Sequence, residues 1–198
     1  MNSLPTSKMI LWVVLAVPAA VTVHRYATVP GIWPGDLLLP TGEWSARLII
    51  FALMLTPLGQ LFPTSRAVNW LIRHRRAFGV AAFGYAVLHL IFYVLDMESV
   101  AAMLAEIGAP GIWTGWLALL CLVPLALTSN DAAMRLLRRS WKRAQRLAYP
   151  AAILTLLHWV LVHDGMATAL LHFAPLILLQ ALRLARLFTS ASTERKTI

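Results

Sequence analysis

Long apolar segments alternate with short polar ones along almost the whole chain. Most of the apolar segments approach the roughly 17 to 25 residues that an α-helix needs to cross the hydrocarbon core of a bilayer. The pattern therefore predicts an all-α integral membrane protein, a bundle of six transmembrane helices that forms a single domain over residues 1–198. The predicted spans are residues 9–23, 46–62, 77–95, 112–127, 147–162 and 168–188.

Composition agrees with this interpretation. Hydrophobic residues make up 60% of the chain and charged residues only 13%, whereas soluble domains carry about 25% charged residues. The single cysteine, Cys121, excludes an internal disulfide, a thiolate metal cluster and a covalently attached c-type haem.

Basic and acidic residues fall mainly on opposite sides of the predicted membrane spans, and this asymmetry predicts the topology. Of the 17 basic residues, 15 fall before the first span, at or after the end of the last span, or between spans two and three and spans four and five. Six of the eight acidic residues fall on the opposite side. By the positive-inside rule both termini are cytoplasmic. The net charge of +9 is thus a topology signal, and no interleaved aromatic and basic surface indicates nucleic-acid binding.

Two histidines lie at the same predicted depth. His89 is 12 residues from the inner end of the third span and His158 is 11 residues from the inner end of the fifth, about 17 Å deep in each case. Intramembrane ionisable residues are costly and indicate function. Two imidazoles facing one site suit haem iron, and iron with both axial positions filled transfers electrons. The backbone carbonyls of Tyr85 and Leu154, one turn earlier, are candidate acceptors for the second ring nitrogens.

Other interpretations of the histidines remain open at this stage. Each histidine can instead hydrogen-bond to a neighbouring helix, or carry protons in a small non-redox transporter. His172, on the sixth span at a similar level, is a candidate additional or alternative ligand. It is equally a candidate to bond a haem propionate or to line a quinone site.

Four stretches resemble a known family: TGEWSARLIIFALMLTPL from Thr41, RHRRAFGVAAFGYAVLHL from Arg73, LALTS from Leu125 and SWKRAQRLAYPAAILTLLHW from Ser140. The chain resembles the ferric-reductase-like transmembrane domains, with a core over about residues 41–163, and specifically the MsrQ (YedZ) family of haem-binding membrane subunits.

This resemblance implies a b-type cytochrome in the bacterial inner membrane, with His89 and His158 as its haem ligands. Electrons would come from quinol or a cytoplasmic flavin donor with FMN. They would pass to a periplasmic molybdopterin enzyme (MsrP-like) that reduces methionine sulfoxide. A haem-carrying anchor or electron conduit for a different oxidoreductase is the alternative.

The chain departs from the family pattern at one position. Where the family has W-x-x-L-H-x-x-x-Y, this chain reads WKRAQRLAY from Trp141, with Gln145 in place of the histidine. Glutamine is a poor haem ligand, so a second haem on the inner side is doubtful. Arg75, Arg76 and Gln145 are expected to face the inner site, where a haem propionate, a quinone or a flavin would bind.

The Gln145 argument predicts the haem content of the purified protein. We expect one haem per chain, measured as pyridine haemochrome against protein concentration. Two haems per chain would contradict the argument, because the inner site would then have a ligand other than the missing histidine.

Overall fold

A computed structural model describes residues 5–163 and 165–194, and every regular element in those ranges is helical. Asp164, Arg195 and Lys196, which were counted in the charge pattern, lie outside the described residues. Six helices are long and apolar enough to cross a membrane, which confirms the predicted fold class. These spans are Ser7–Thr28, Pro34–Leu61, Arg66–Met97, Pro110–Leu127, Arg139–Val162 and Met166–Arg186.

The helices follow one another with short connections. In chain order they are α1 (Pro5–Thr28), α2 (Leu38–Leu61), α3 (Arg66–Met97), α4 (Val100–Glu106), α5 (Pro110–Leu127), α6 (Asp131–Leu137), α7 (Arg139–Gln145), α8 (Ala148–His163) and α9 (Met166–Glu194). A 3₁₀ turn, Pro34–Leu37, leads directly into α2.

Several helices extend further than the apolar segments predicted, and the starts of α2 and α3 differ most. The second segment was expected to begin at residue 46 and the third at residue 77, but α2 begins at Leu38 and α3 at Arg66. Apolarity marks the part of a helix in the hydrocarbon, whereas the helix itself continues through polar turns. His89 consequently lies eight residues, about 12 Å, from the end of α3. The depth count had placed it just past the middle of the span.

The bundle is built around two helix pairs. The most extensive packing is between α2 and α3, which we call the first pair, and between α5 and α8, the second pair. Contact between the two pairs is much smaller. Helix α9 packs on α2 and α8. Helix α1 packs mainly on α3. The site described below lies between the two pairs.

Charge separates the two ends of this bundle. We call the acidic end the one where α2 and α5 begin and α3 and α8 end, since it carries Asp36, Asp96, Glu98 and Glu106. The basic end is the opposite one, where α3 and α8 begin and α6 and α7 lie. Glu43, which precedes the predicted second span, and Arg47, near the start of that span, both lie inside α2, where their side chains form an ion pair of 2.5 Å. Which end faces the cytoplasm stays a prediction.

A tyrosine hydroxyl fastens α1 to the bundle. The Tyr85 hydroxyl donates to the Leu15 carbonyl at 2.8 Å and accepts from the Ala19 N–H at 3.0 Å. These two backbone groups are four residues apart and would otherwise bond each other within α1. Pro18 lies between them, and proline weakens a helix ladder because it lacks an N–H. The Tyr85 hydroxyl therefore bridges two backbone groups of α1 at the turn where Pro18 weakens the helical hydrogen bonds.

Tyr85→Phe tests this attachment. Because the two backbone groups can then bond each other, we expect a loss of only about 1 kcal/mol, or roughly 2 to 4 °C in the unfolding midpoint of a chain this size. Hydrogen exchange in α1 should rise while exchange in α2 stays unchanged. Tyr26→Phe, on α1 itself, is the matched control. Equal exchange in both variants would show that the Tyr85 hydroxyl does not hold α1.

Candidate cofactor site

His89 and His158 face each other across the gap between the two helix pairs. Their ring centroids are 5.9 Å apart and the ring planes are nearly perpendicular, at 86°. An iron atom about 2 Å from one nitrogen of each ring would separate the centroids by about 6 Å, taking the usual metal–imidazole distance. The structure thus brings together the two residues that the depth count paired, at a spacing suited to one shared metal.

Each of these rings forms a hydrogen bond to the other helix of its pair. His89 Nδ1 is 2.9 Å from the Leu38 carbonyl of α2, and His158 Nδ1 is 2.7 Å from the Gly111 carbonyl of α5. The expected acceptors, the carbonyls of Tyr85 and Leu154, were wrong. The prediction assumed a ring folded back along its own helix, but both rings reach across to the first turn of the partner helix.

These contacts define the ring tautomers. A carbonyl only accepts, so Nδ1 carries the proton in each ring, and the Nε2 of a neutral imidazole then holds the lone pair. A hydrogen bond from the second nitrogen also orients a ligating histidine and makes it more basic. Both rings therefore present the donor atom that a metal needs.

Among the described residues, no group of three or more histidine, cysteine, aspartate or glutamate side chains is placed to hold a metal ion. Two imidazoles alone suit a metal that brings its other ligands, as the iron of a porphyrin does. The donor set fits haem.

An apolar cavity of about 110 Å³ lies beside the two rings. The Tyr93 hydroxyl, one turn after His89, borders it and is buried with no hydrogen-bond partner. An orphaned hydroxyl at this place suits a polar substituent of a bound cofactor. The other lining residues include Gly42, Ser45, Ala86, Leu90, Ile112, Gly115, Trp116, Ala118, Leu119, Leu122 and Thr155.

The cavity is smaller than a porphyrin. A cavity of about 150 Å³ accommodates one benzene ring, so a macrocycle needs several times the present volume. Ala86 borders this cavity, whereas Ala82, Ala151 and Ala152 are buried in the packed core.

His172 lies outside this cavity, on α9. Its Nδ1 donates to the Thr168 carbonyl at 2.8 Å, and its Nε2 accepts from Arg47 Nε at 3.2 Å. The Trp159 ring lies 5.0 Å from the imidazole centroid. Both nitrogens are thus engaged. The predicted role of His172 as an additional or alternative ligand finds no support in this geometry.

A second cavity, of about 490 Å³, lies at the basic end. It brings together the three predicted inner-site residues Arg75, Arg76 and Gln145. Arg75 is half-buried and donates to Thr56 Oγ1 at 3.1 Å. The cavity is also lined by Arg73, Lys142, Arg146, Trp141 and Tyr149, so it combines a strong positive charge with aromatic rings.

One acidic residue neutralises part of this charge. Arg76 donates to Asp131 Oδ1 at 2.6 Å. The hydrogen bond and the positive charge of Arg76 lower the pKa of the Asp131 carboxyl, which therefore stays ionised at neutral pH. The other lining cations have no carboxylate within ion-pair distance among the described residues. The cavity keeps a net positive charge.

The second cavity contains no histidine among its lining residues. Gln145 donates to Thr128 Oγ1 at 2.9 Å and more weakly to the Leu125 carbonyl at 3.5 Å, so its amide is tied to the end of α5. His74 lines neither cavity. It is buried against Trp70, and its Nε2 has no partner. The doubt about a second haem on the inner side stays a prediction.

The two cavities are neighbours along the bundle axis. Leu122 of α5 lines both of them. The two cavities therefore adjoin each other at this side chain.

The residues that sequence reasoning missed are Leu38, Gly42, Gly111 and Gly115, which contact the two rings from α2 and α5. A short repeat marks both places, because Thr-Gly occurs at residues 41–42 and again at 114–115. Both threonines are almost fully buried, with 0% and 2% of their surface exposed. The repeated dipeptide near the start of two apolar segments was the available signal.

Comparison with known proteins shows the family of the chain. Residues 41–156 match the model of the family described as ferric reductase like transmembrane component, which covers His89 and ends just before His158. The chain is therefore a multi-pass membrane protein of the ferric-reductase-like class. No solved structure matches it.

Three relatives, each named protein-methionine-sulfoxide reductase heme-binding subunit MsrQ, narrow the class. The protein of Xanthomonas campestris pv. campestris (strain 8004) is 40% identical over 157 residues, 77% of this chain and 70% of the relative. That of Xanthomonas axonopodis pv. citri (strain 306) is 38% identical over the same shares. That of Rhizobium meliloti (strain 1021) is 41% identical over 123 residues, 61% of this chain and 55% of the relative. The chain belongs to the MsrQ family.

Proposed function

We propose that the chain binds one haem b between His89 and His158 and passes electrons across the bacterial inner membrane. The observation that carries this proposal is the opposed pair of imidazoles, with ring centroids 5.9 Å apart and each Nδ1 held by a backbone carbonyl. The name of the relatives, heme-binding subunit, supports it.

The chemistry follows from the ligand set. Haem iron with two imidazole ligands has both axial positions filled, so it supplies one-electron transfer and has no open position for oxygen or substrate. The chain's own residues hold and tune the site. The Leu38 and Gly111 carbonyls accept from the rings and fix their orientation, and Tyr93 supplies a hydrogen-bonding group at the cavity edge.

We assign electron entry to the second cavity. Arg75, Arg76 and Lys142 suit the phosphate of FMN, since guanidinium groups bind phosphate bidentately. Gln145 and the aromatic rings there suit a flavin or a quinone head group equally well. The basic end would face the cytoplasm by the positive-inside rule, so a cytoplasmic flavin reductase or quinol would be the donor.

The acidic end would then face the periplasm and receive the acceptor. A periplasmic molybdopterin enzyme of the MsrP type is the partner that the relatives' name suggests, because they are subunits of a protein-methionine-sulfoxide reductase. The two histidines lie near this end of the bundle, eight residues before the end of α3 and five before the end of α8. This position leaves a short path to a docked partner.

Single histidine variants test the haem assignment. We expect His89→Ala and His158→Ala each to abolish the reduced-minus-oxidised b-type spectrum of the purified protein. We expect His172→Ala to retain it, because Arg47 already occupies the Nε2 atom of His172. A wild-type protein with no haem spectrum after haem-replete expression would favour the non-redox transporter instead.

Variants of the second cavity test electron entry. Arg75→Ala combined with Arg76→Ala should leave the haem spectrum intact. The double variant should weaken binding of the electron donor, since a hydrogen bond to a charged group contributes about 1.5–3 kcal/mol. We expect about tenfold more quinol or reduced FMN to be needed for half-maximal haem reduction in stopped-flow measurements. Arg66→Ala, at the same end but outside the cavity lining, is the control. Equal donor dependence in the two variants would contradict the assignment.

A further inference from the structure

Both facing histidines rest on a glycine of the partner helix. A Cβ atom built on Gly115 would lie 2.7 Å from His158 Nδ1 and 2.8 Å from Cε1. One built on Gly42 would lie 3.2 Å from His89 Nδ1 and 3.3 Å from Cε1. Real Cβ atoms essentially never approach as closely as the first pair of distances.

Each glycine follows the acceptor carbonyl by one helical turn. Gly42 comes four residues after Leu38, and Gly115 comes four residues after Gly111. In an α-helix the carbonyl of residue i points along the axis towards the N–H of residue i+4. A carbonyl oxygen has a second lone pair, and a side chain at i+4 would stand in front of it. With glycine there, an imidazole from the neighbouring helix can reach that lone pair.

We propose that Gly42 and Gly115 are positioning residues for the two axial imidazoles. They open the Leu38 and Gly111 carbonyls to the rings, and so fix each ring's rotation and the near-perpendicular angle between the ring planes. This inference rests on the proposed haem ligation by His89 and His158.

Other helical glycines show that close contact with a ring is specific to these two. Cβ atoms on Gly79 and Gly84 would meet nothing within 4 Å, and those on Gly59 and Gly111 would meet apolar side chains. A glycine inside a helix is destabilising relative to alanine. At Gly42 and Gly115 that cost is offset by the hydrogen bonds that the rings form with the Leu38 and Gly111 carbonyls.

The ring angle has a spectroscopic consequence. Each axial imidazole interacts through its π system with the iron d orbital that lies perpendicular to the ring plane. Two parallel rings act on the same orbital, whereas two perpendicular rings act on different orbitals and keep them close in energy. Low-spin ferric haem with perpendicular rings therefore gives a strongly anisotropic electron paramagnetic resonance (EPR) signal. A change in the angle shifts that signal and the midpoint potential.

Alanine variants of the full-length chain test the inference. Gly115→Ala should lower haem affinity by about 10- to 100-fold, the usual effect of losing a partner that orients a ligand. The haem that remains bound should show a less anisotropic EPR signal. Gly42→Ala should shift the signal in the same direction by less, because its Cβ contact is longer. Gly84→Ala, on α3 five residues before His89, is the matched control and should match the wild-type protein in affinity, signal and potential.

The outcomes separate this inference from the proposed function. If the wild-type protein binds no haem, the proposed function fails. If the wild-type protein binds haem and Gly115→Ala keeps its affinity, EPR signal and midpoint potential, the positioning role is refuted. If Gly115→Ala does not accumulate in membranes, Gly42→Ala decides, and an unchanged EPR signal in that variant would refute the inference.

Discussion

The site depends on one kind of interaction, the hydrogen bond from an imidazole Nδ1 to a backbone carbonyl of the neighbouring helix. In the interior of a membrane protein a polar group without a partner costs several kcal/mol, because no water is present to satisfy it. His89 and His158 meet this requirement across a helix interface, through Leu38 and Gly111. The same bond decides the tautomer, the direction of Nε2 and the distance between the two rings.

Two other histidines, His74 and His172, form a different hydrogen bond from the facing pair. His74 and His172 place their Nδ1 on the carbonyl four residues earlier in their own helix, Trp70 and Thr168 respectively. A ring bonded in that way lies along its own helix. The two facing rings instead stand away from their helices and project into the gap between the helix pairs.

Sequence reasoning paired His89 with His158 because depth along a membrane helix is a one-dimensional count. It failed on the carbonyl acceptors because they depend on how each helix is rotated against its neighbour, and residue spacing within one helix does not encode that rotation. Helix bounds were missed for a related reason, since apolarity reports contact with lipid, whereas α2 and α3 continue into polar turns. The grouping of Arg75, Arg76 and Gln145 was predicted from loop charge and family resemblance, and the second cavity contains all three.

The division into two helix pairs has a consequence for how the protein is made. Within the first pair, His89 finds its carbonyl and its glycine on α2, and within the second, His158 finds both on α5. Each helix pair therefore contains one histidine together with the carbonyl and the glycine that contact its ring. Because α2 and α3 leave the ribosome ahead of α5 and α8, the earlier half can be ready in the membrane while the later half is still being synthesised. If the proposed ligation holds, retention of the cofactor would require both helix pairs, and a chain that stops short of α8 would lack one of the two ligands.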